Sequence, residues 1–337
     1  MDPVAALSEI AFHLERDRAP QFKVQAFRKA AATLGAWSPA ELAARAGDGR
    51  LKATKGIGAS TFEVVRQALD GGVPDRLAKL RAAATSPLTD GGRALAAQIR
   101  GDLHSHSDWS DGTTPVPLMV DAAVSLGREY LALTDHSPHL TVAHGLTAER
   151  LTDQLDVVDE LDRHTPGLRL LTGIEVDILD DGTLDQNPEL LDRLDVVVAS
   201  IHSHLRADRA TMTERMLGAV THPRTTILGH CTGRLVEGSR GTRPPSEFDA
   251  ARVFAACAEN DVAVEINARP ERQDPPDDLI ALALDSGCLF SIDSDAHAPG
   301  QLALLDYGIE RAAANGVPAD RIITTWPVER LLEWARH

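Results

Sequence analysis

At 337 residues, 43% hydrophobic and 25% charged, the chain has the composition of an ordinary globular protein and the length for one barrel-sized domain with a small partner. No stretch approaches the roughly 20 apolar residues of a membrane span, and the opening MDPVAALSEI lacks the basic and apolar regions of a signal peptide, so no membrane partner and a cytoplasmic location are expected. The net charge of −16 is unevenly spread: residues 1–97 carry 14 Lys+Arg against 10 Asp+Glu, leaving 20 against 40 in the remainder, and a DNA-binding front end is compatible with an acidic whole.

The first 84 residues read as a small all-α domain. Val4, Leu7, Ile10 and Leu14 recur at helical spacing, as do Phe22, Phe27, Ala31 and Leu34, with Pro20, Gly35 and Pro39 as punctuation. After a short helix from Pro39 to about Ala46, the glycine hairpin Gly56-Ile57-Gly58 precedes a helix that runs to Gly71. Glycines in such a hairpin let the backbone approach a phosphate, and the N–H groups at the next helix start face the anion. Lys55, Gly56 and Gly58 are therefore the candidate DNA contacts, against the plainer reading of a tight turn between packed helices. Residues 85–97, TSPLTDGGRALAA, contain Pro87 and Gly91-Gly92 without a sustained apolar face and read as a linker.

Residues 98–337 alternate short apolar runs with helical stretches, among them Pro117 to Leu126, Ala148 to Arg163, Asp249 to Glu259 and Pro276 to Ser286. That is the pattern of parallel strands with crossover helices, and seven such units predict an α/β fold with a closed or nearly closed barrel. The runs are Gly101 to His104, Tyr130 to His136, Leu170 to Glu175, Asp195 to His202, Thr226 to His230, Val262 to Asn267 and Leu289 to His297. Each ends in a metal-binding residue or a close substitute, and barrels of this kind collect their chemistry at the carboxyl ends of the strands. His104 and His106, two apart, project to one side of an extended segment and can grip one cation. Imidazoles mixed with carboxylates suit zinc, manganese or iron, whereas an all-oxygen set would suit magnesium or calcium. Cys231, Cys257 and Cys288 have no paired spacing, so neither a disulfide framework nor a zinc knuckle is indicated, and all three are expected buried and reduced.

The strings DLHSHSDWSDG, LTDHS, GIEVDIL, ASIHSH, LGH, EINA and DSDAH, in this order, resemble the polymerase and histidinol phosphatase (PHP) family across essentially all of residues 99–337. The resemblance implies a distorted seven-stranded, TIM-like (β/α)7 barrel with a trinuclear metal site. His104, His106, Glu175 and Asp295 would hold one divalent ion, Glu175 would bridge to a second held by His202 and His230, and Asp111, His136 and His297 would hold a third. Glu175, Asp295 and His297 are the implied catalytic residues. An aspartate at position 111, with ILGHCTGR, EINARPER and DSDAHAPGQL, is most similar to the branch fused to bacterial family X DNA polymerases. The front half resembles the helix-hairpin-helix domain of the same polymerases, through PQFKVQAFRKAAATL and KGIG. Family members with lyase activity carry a Schiff-base lysine on the helix after the hairpin. Ala59 to Gln67 has Arg66 and no lysine, so lyase activity is not expected.

The linker stands where such polymerases place their palm, so nucleotidyl transfer is not expected either. A phosphoesterase tethered to a DNA-binding module is implied, acting on DNA ends as a 3′–5′ exonuclease or 3′-phosphatase in repair. Asn267 is the expected pocket residue. Arg234, Arg269 and Arg272 are candidate phosphate clamps or surface ion pairs, and His204 a candidate substrate contact. Trp109 would stack on a base or anchor its loop. Two other readings stand beside this one: a small-molecule phosphatase of the histidinol phosphate kind, and a non-catalytic DNA-binding scaffold, which should have lost ligands where this chain has all nine. Oligomeric state is open to any of them.

Overall fold

Side-chain caps mark where the front helices begin. Asp2 accepts from the Ala5 N–H at 2.6 Å to start Pro3–Arg16, and Ser38 accepts from Glu41 at 3.2 Å to start Pro39–Gly47. The computed structural model describes residues 1–238 and 241–336, and the chain divides into two units, Met1–Ser86 and Pro87–His337. His337, the last residue of the expected barrel region, lies outside the described residues.

The first unit is all α-helix apart from one 3-10 turn. Leu7, Ile10 and Leu14 of Pro3–Arg16 pack on Phe27, Ala31 and Leu34 of Gln21–Gly35, as their spacing predicts, but Phe22 is 72% exposed and Val24 takes its place in the core. A buried ion pair of Arg28 with Glu15, at 2.6 and 2.8 Å, ties the same helices. The hairpin precedes Ala59–Leu69. Gly56 sits at φ 95°, a conformation open to glycine at little cost, and Lys55 is exposed. The Gly58 N–H donates to Thr61 Oγ1 at 2.9 Å, so that donor serves the helix start.

In the second unit seven parallel strands run in sequential order: β1 (Gly101–Asp102), β2 (Tyr130–Leu133), β3 (Arg169–Asp177), β4 (Val196–Ser200), β5 (Ile227–Leu228), β6 (Ala263–Asn267) and β7 (Phe290–Asp293). Each falls within or overlaps one of the seven expected runs, with helices between them. Alternation along the strands sorts the side chains. Ile174, Val176, Val197, Ala199, Val264 and Ile266 belong to the core under the helices, while Tyr130, Leu171, Val196, Ile227 and Ala263 fill one end of the interior with Ile323 and Trp326.

The borders β1 and β7 meet through side chains more than through a ladder. Asp293 accepts from the Leu103 N–H at 2.9 Å and Asp102 from the Ser294 N–H at 3.1 Å, beside a single bridge between Ser105 and Ala296. Within the expected linker, Asp90–Ala96 form a helix capped by Thr89, with Leu95 in the barrel core. Its Gly92 is a close-packing glycine, since a Cβ there would run into Glu310. All three cysteines are free and buried. Among the described residues no helix is long and apolar enough to cross a membrane.

Candidate metal centre

The period of a strand places the polar ends of β2, β3, β4 and β6 inside the barrel. On β3, Leu171 and Glu175 face the interior; the same phase carries Tyr130 to His136 beyond β2, Val198 to His202 beyond β4 and Ala263 to Glu265 on β6. Glu175 is buried at the focus. Its Oε2 lies 3.2 Å from His104 Nε2, 3.5 Å from His106 Nε2 and 3.0 Å from His136 Nδ1, and its Oε1 lies 2.9 Å from His230 Nε2 and 3.3 Å from His202 Nε2. Asp295 Oδ1 stands 3.4 Å from His106 Nε2. Asp111 Oδ1 stands 3.3 Å from His297 Nε2 and 3.6 Å from His136 Nε2. All nine residues named as ligands are thus brought together. Three subsets converge closely enough to enclose an ion: His106 with Asp111, His136 and His297; His104 with His106 and Glu175; and His136 with Glu175 and His202. The grouping differs from the implied one: His106 and His136 each belong to two subsets, and Asp295 and His230 belong to none of the three.

Burial without partners is the test of whether cations fit. Nε2 of His104, His106 and His202, Nδ1 of His136 and Oε2 of Glu175 are all buried and make no hydrogen bond. Polar atoms are not left so inside a protein unless something else meets them, and a divalent ion bound by imidazole and carboxylate does. Burial favours the neutral His106 ring, and with His297 and His136 beside it lowers its pKa to about 3. Burial pulls His104 and His202 the same way, but Glu175 outweighs it, holding His104 well above its usual value and His202 at about 9. Burial in turn disfavours the Glu175 carboxylate, yet the surrounding imidazoles keep it well below the usual range. Protons therefore occupy part of the cluster until a metal displaces them.

A second layer of carboxylates orients the rings. Glu265, missed in the sequence, sets Oε1 2.6 Å from His104 Nδ1 and accepts from the His230 backbone N–H with Oε2 at 2.6 Å. Asp177, also missed, lies 2.5 Å from His202 Nδ1. Such bonds fix which ring nitrogen is left for a metal. Both residues share the inward phase of their strands with a named ligand or with Asn267, and that phase is the signal that finds them.

The expected substrate contacts divide. Arg269 and Arg272 line a cavity of about 440 Å³ with Asp111, His136, His202 and His297. Arg272 is buried on Asp295 at 3.1 Å and Arg269 pairs with Glu271 at 2.7 Å. Arg234 does not line this cavity: its side chain donates to the Arg272 carbonyl at 3.1 Å and to the Gln273 carbonyl. Asn267, expected in the pocket, is fully buried, donating to Asp295 at 3.1 Å and to Glu265 at 3.2 Å, so it braces a ligand and does not face the opening. His204 is exposed on Asp180 at 2.8 Å and also lies outside the lining. Trp109 packs partly on the core and its carbonyl accepts from Arg150, the loop-anchor alternative. Arg243, which no motif marked, lines the cavity and donates to the Gly233 carbonyl at 2.6 Å.

The family model for the PHP domain matches residues 102–269. Among curated proteins the chain is similar to the DNA polymerase/3′-5′ exonuclease PolX of Bacillus subtilis (strain 168), 39% identical over 215 residues, covering 64% of this chain and 37% of that protein. The chain therefore spans little more than a third of that relative. It is also similar to the probable phosphatase YcdX of Escherichia coli O139:H28, 28% identical over 244 residues, covering 69% of this chain and 92% of that one. A crystal structure of histidinol phosphate phosphatase from Lactococcus lactis, complexed with zinc, L-histidinol and phosphate, aligns with a TM-score of 0.45 at 16% identity, covering 64% of this chain and 94% of that one. With the family model matched from β1 through β6, the barrel of this chain belongs to the PHP family of metal-dependent phosphoesterases.

Proposed function

We propose that the barrel hydrolyses phosphate esters with three divalent cations and that its substrates are DNA ends, processed as a 3′–5′ exonuclease or 3′-phosphatase in repair. The observation that carries the reading is the set of unpartnered, buried ligand atoms around Glu175, two of whose residues, His136 and His202, line a cavity together with Asp111, Asp295, His297 and three arginines. His104, His106, Glu175 and Asp295 would hold one ion, Glu175 with His202 and His230 a second, and Asp111, His136 and His297 a third. Bound zinc, manganese or iron would supply Lewis acidity toward phosphoryl oxygens and a hydroxide nucleophile near neutral pH. The chain's own part is to hold the charge pattern rigid. Arg272 and Asn267 fix Asp295, Glu265 fixes His104, and Asp177 fixes His202. Glu175, Asp295 and His297 are the residues on which catalysis would depend most directly. Arg269 and Arg272 would meet a phosphate only by sharing their present carboxylate partners.

For the first unit the proposal is backbone binding of DNA through Lys55 and the Gly56–Gly58 hairpin, supported by the exposed lysine beside a positive-φ glycine ahead of a helix start. The exonuclease named in the Bacillus subtilis relative supports DNA as substrate, and the Escherichia coli phosphatase, matched over nearly its whole length, supports a small phosphomonoester instead. A direct contest decides. A 3′-labelled duplex and histidinol phosphate are incubated with the protein under zinc, manganese or iron, with His104→Ala as control. Metal-dependent shortening or dephosphorylation of DNA, absent in the variant, is the expected result; cleavage of the small ester alone would replace the DNA reading.

A further inference from the structure

Three apolar side chains stand at the mouth of the metal centre and take no part in holding its ligands. Leu140 and Val142 come from the loop after β2, and Leu205 from the loop after β4. Val142 is 85% exposed. A valine on a loose loop would be ordinary, but this loop is pinned on both sides. Arg150 donates to the His144 carbonyl at 2.6 Å and the Gly145 carbonyl at 3.1 Å, the His139 N–H donates to Asp185 at 2.6 Å, and the Leu146 N–H donates to the His136 carbonyl at 2.7 Å. Gly145 passes so close to Ser137 that a Cβ there would run into its carbonyl. The part of the lip after β2 is thus built in advance with Val142 uncovered, while Leu205 is half-buried against the barrel core.

The cationic lining lies elsewhere on the rim, with Arg243 after β5 and Arg269 and Arg272 after β6. Because the strands follow one another around the barrel in sequence order, the apolar and cationic residues occupy different arcs of one opening. An ester whose phosphate rests on the metals and the cationic arc directs its alcohol portion toward the apolar arc. We propose that Leu140, Val142 and Leu205 form a subsite for a planar, weakly polar ring carried by that alcohol portion, as in an aryl phosphate or the base of a terminal nucleotide. A ring offers a broad apolar face with few rotors to freeze, which suits a shallow lip of branched aliphatic groups. This inference rests on the phosphoesterase reading.

Its test compares p-nitrophenyl phosphate and thymidine 3′-monophosphate with glycerol phosphate, using the metal-loaded full chain, Val142→Ser and Val142→Leu. Losing the exposed valine leaves the fold intact and should raise KM for the two ring-bearing esters by about fivefold to tenfold, with glycerol phosphate unchanged and the leucine variant restoring the difference. Equal KM changes for all three esters, or none for any, would overturn the subsite. A response for the aryl ester without the nucleotide would support the ring subsite and assign it to small esters. If the wild-type protein binds metal but turns over none of the three, the phosphoesterase reading fails first, which separates the two failures.

Discussion

Along β3, Leu171 and Glu175 enter the same barrel interior four residues apart, and their surroundings share nothing. Around Leu171 the interior is Tyr130, Val196, Ile227 and Ala263 closed off by Ile323 and Trp326. Around Glu175 it is five imidazoles, with Glu265 and Asp295 close behind. One end lowers the free energy of the fold by removing apolar area from water. The other holds buried polar atoms without partners and is justified only by what they bind. The same strands can serve both ends because alternation fixes which side chains face inward but not their polarity.

If the two ends are as separate as this, substitutions at one should leave the other's property alone. The largest effect is expected from Glu175→Gln, which removes the charge that faces both His104 and His230: hydrolysis should fall by at least about a thousandfold and metal content should drop. Ile227→Ala at the apolar end should cost roughly 2–5 kcal/mol in denaturant unfolding with metal affinity preserved. Loss of metal in that variant under native conditions would break the comparison.

Glu265→Gln is subtler. Both carboxylate oxygens accept N–H donors, from His104 and His230, and an amide can accept only one of them. Metal affinity measured by chelator competition should weaken about tenfold to a hundredfold. A pH series sharpens the same point. His202 keeps its proton up to about 9 in the metal-free protein, so cation uptake must release it; affinity at that ring should fall by up to about tenfold per pH unit as pH drops below about 9, with proton release seen by calorimetry in buffers of different ionisation heat. The smallest effect belongs to the front unit. Lys55→Ala should lower DNA affinity modestly and reduce the salt slope of binding by about one contact, with hydrolysis of a small ester untouched.

The ligands were legible because they end apolar runs, where a histidine or carboxylate has no structural excuse. His104, His136, Glu175, His202, His230 and His297 all announced themselves by that position. Glu265 and Asp177 did not, because each precedes or follows a more conspicuous neighbour, and only counting by twos along the strand reveals that they face inward. Asn267 showed the limit of the same logic: its strand ends among the ligands, but its amide turns back onto Asp295 and Glu265. Arg243 was silent because it reaches the cavity from a long loop through an antiparallel bridge to Leu235, a contact that no local pattern encodes. Gly91-Gly92 looked like a break, whereas both glycines lie within the helix Asp90–Ala96.

The border between β1 and β7 gives the cations a second meaning. There the sheet is stitched by Asp102 and Asp293, two buried carboxylates whose charged forms burial disfavours. Immediately beyond, His104 and His106 rise from one border and Asp295 and His297 from the other. An ion shared between them would work as a clasp, joining two chain segments nearly two hundred residues apart where the backbone ladder is thin. Metal supply and barrel integrity would then become a single equilibrium, in which each increase in free cation above its dissociation constant would tighten the ring as well as arm it.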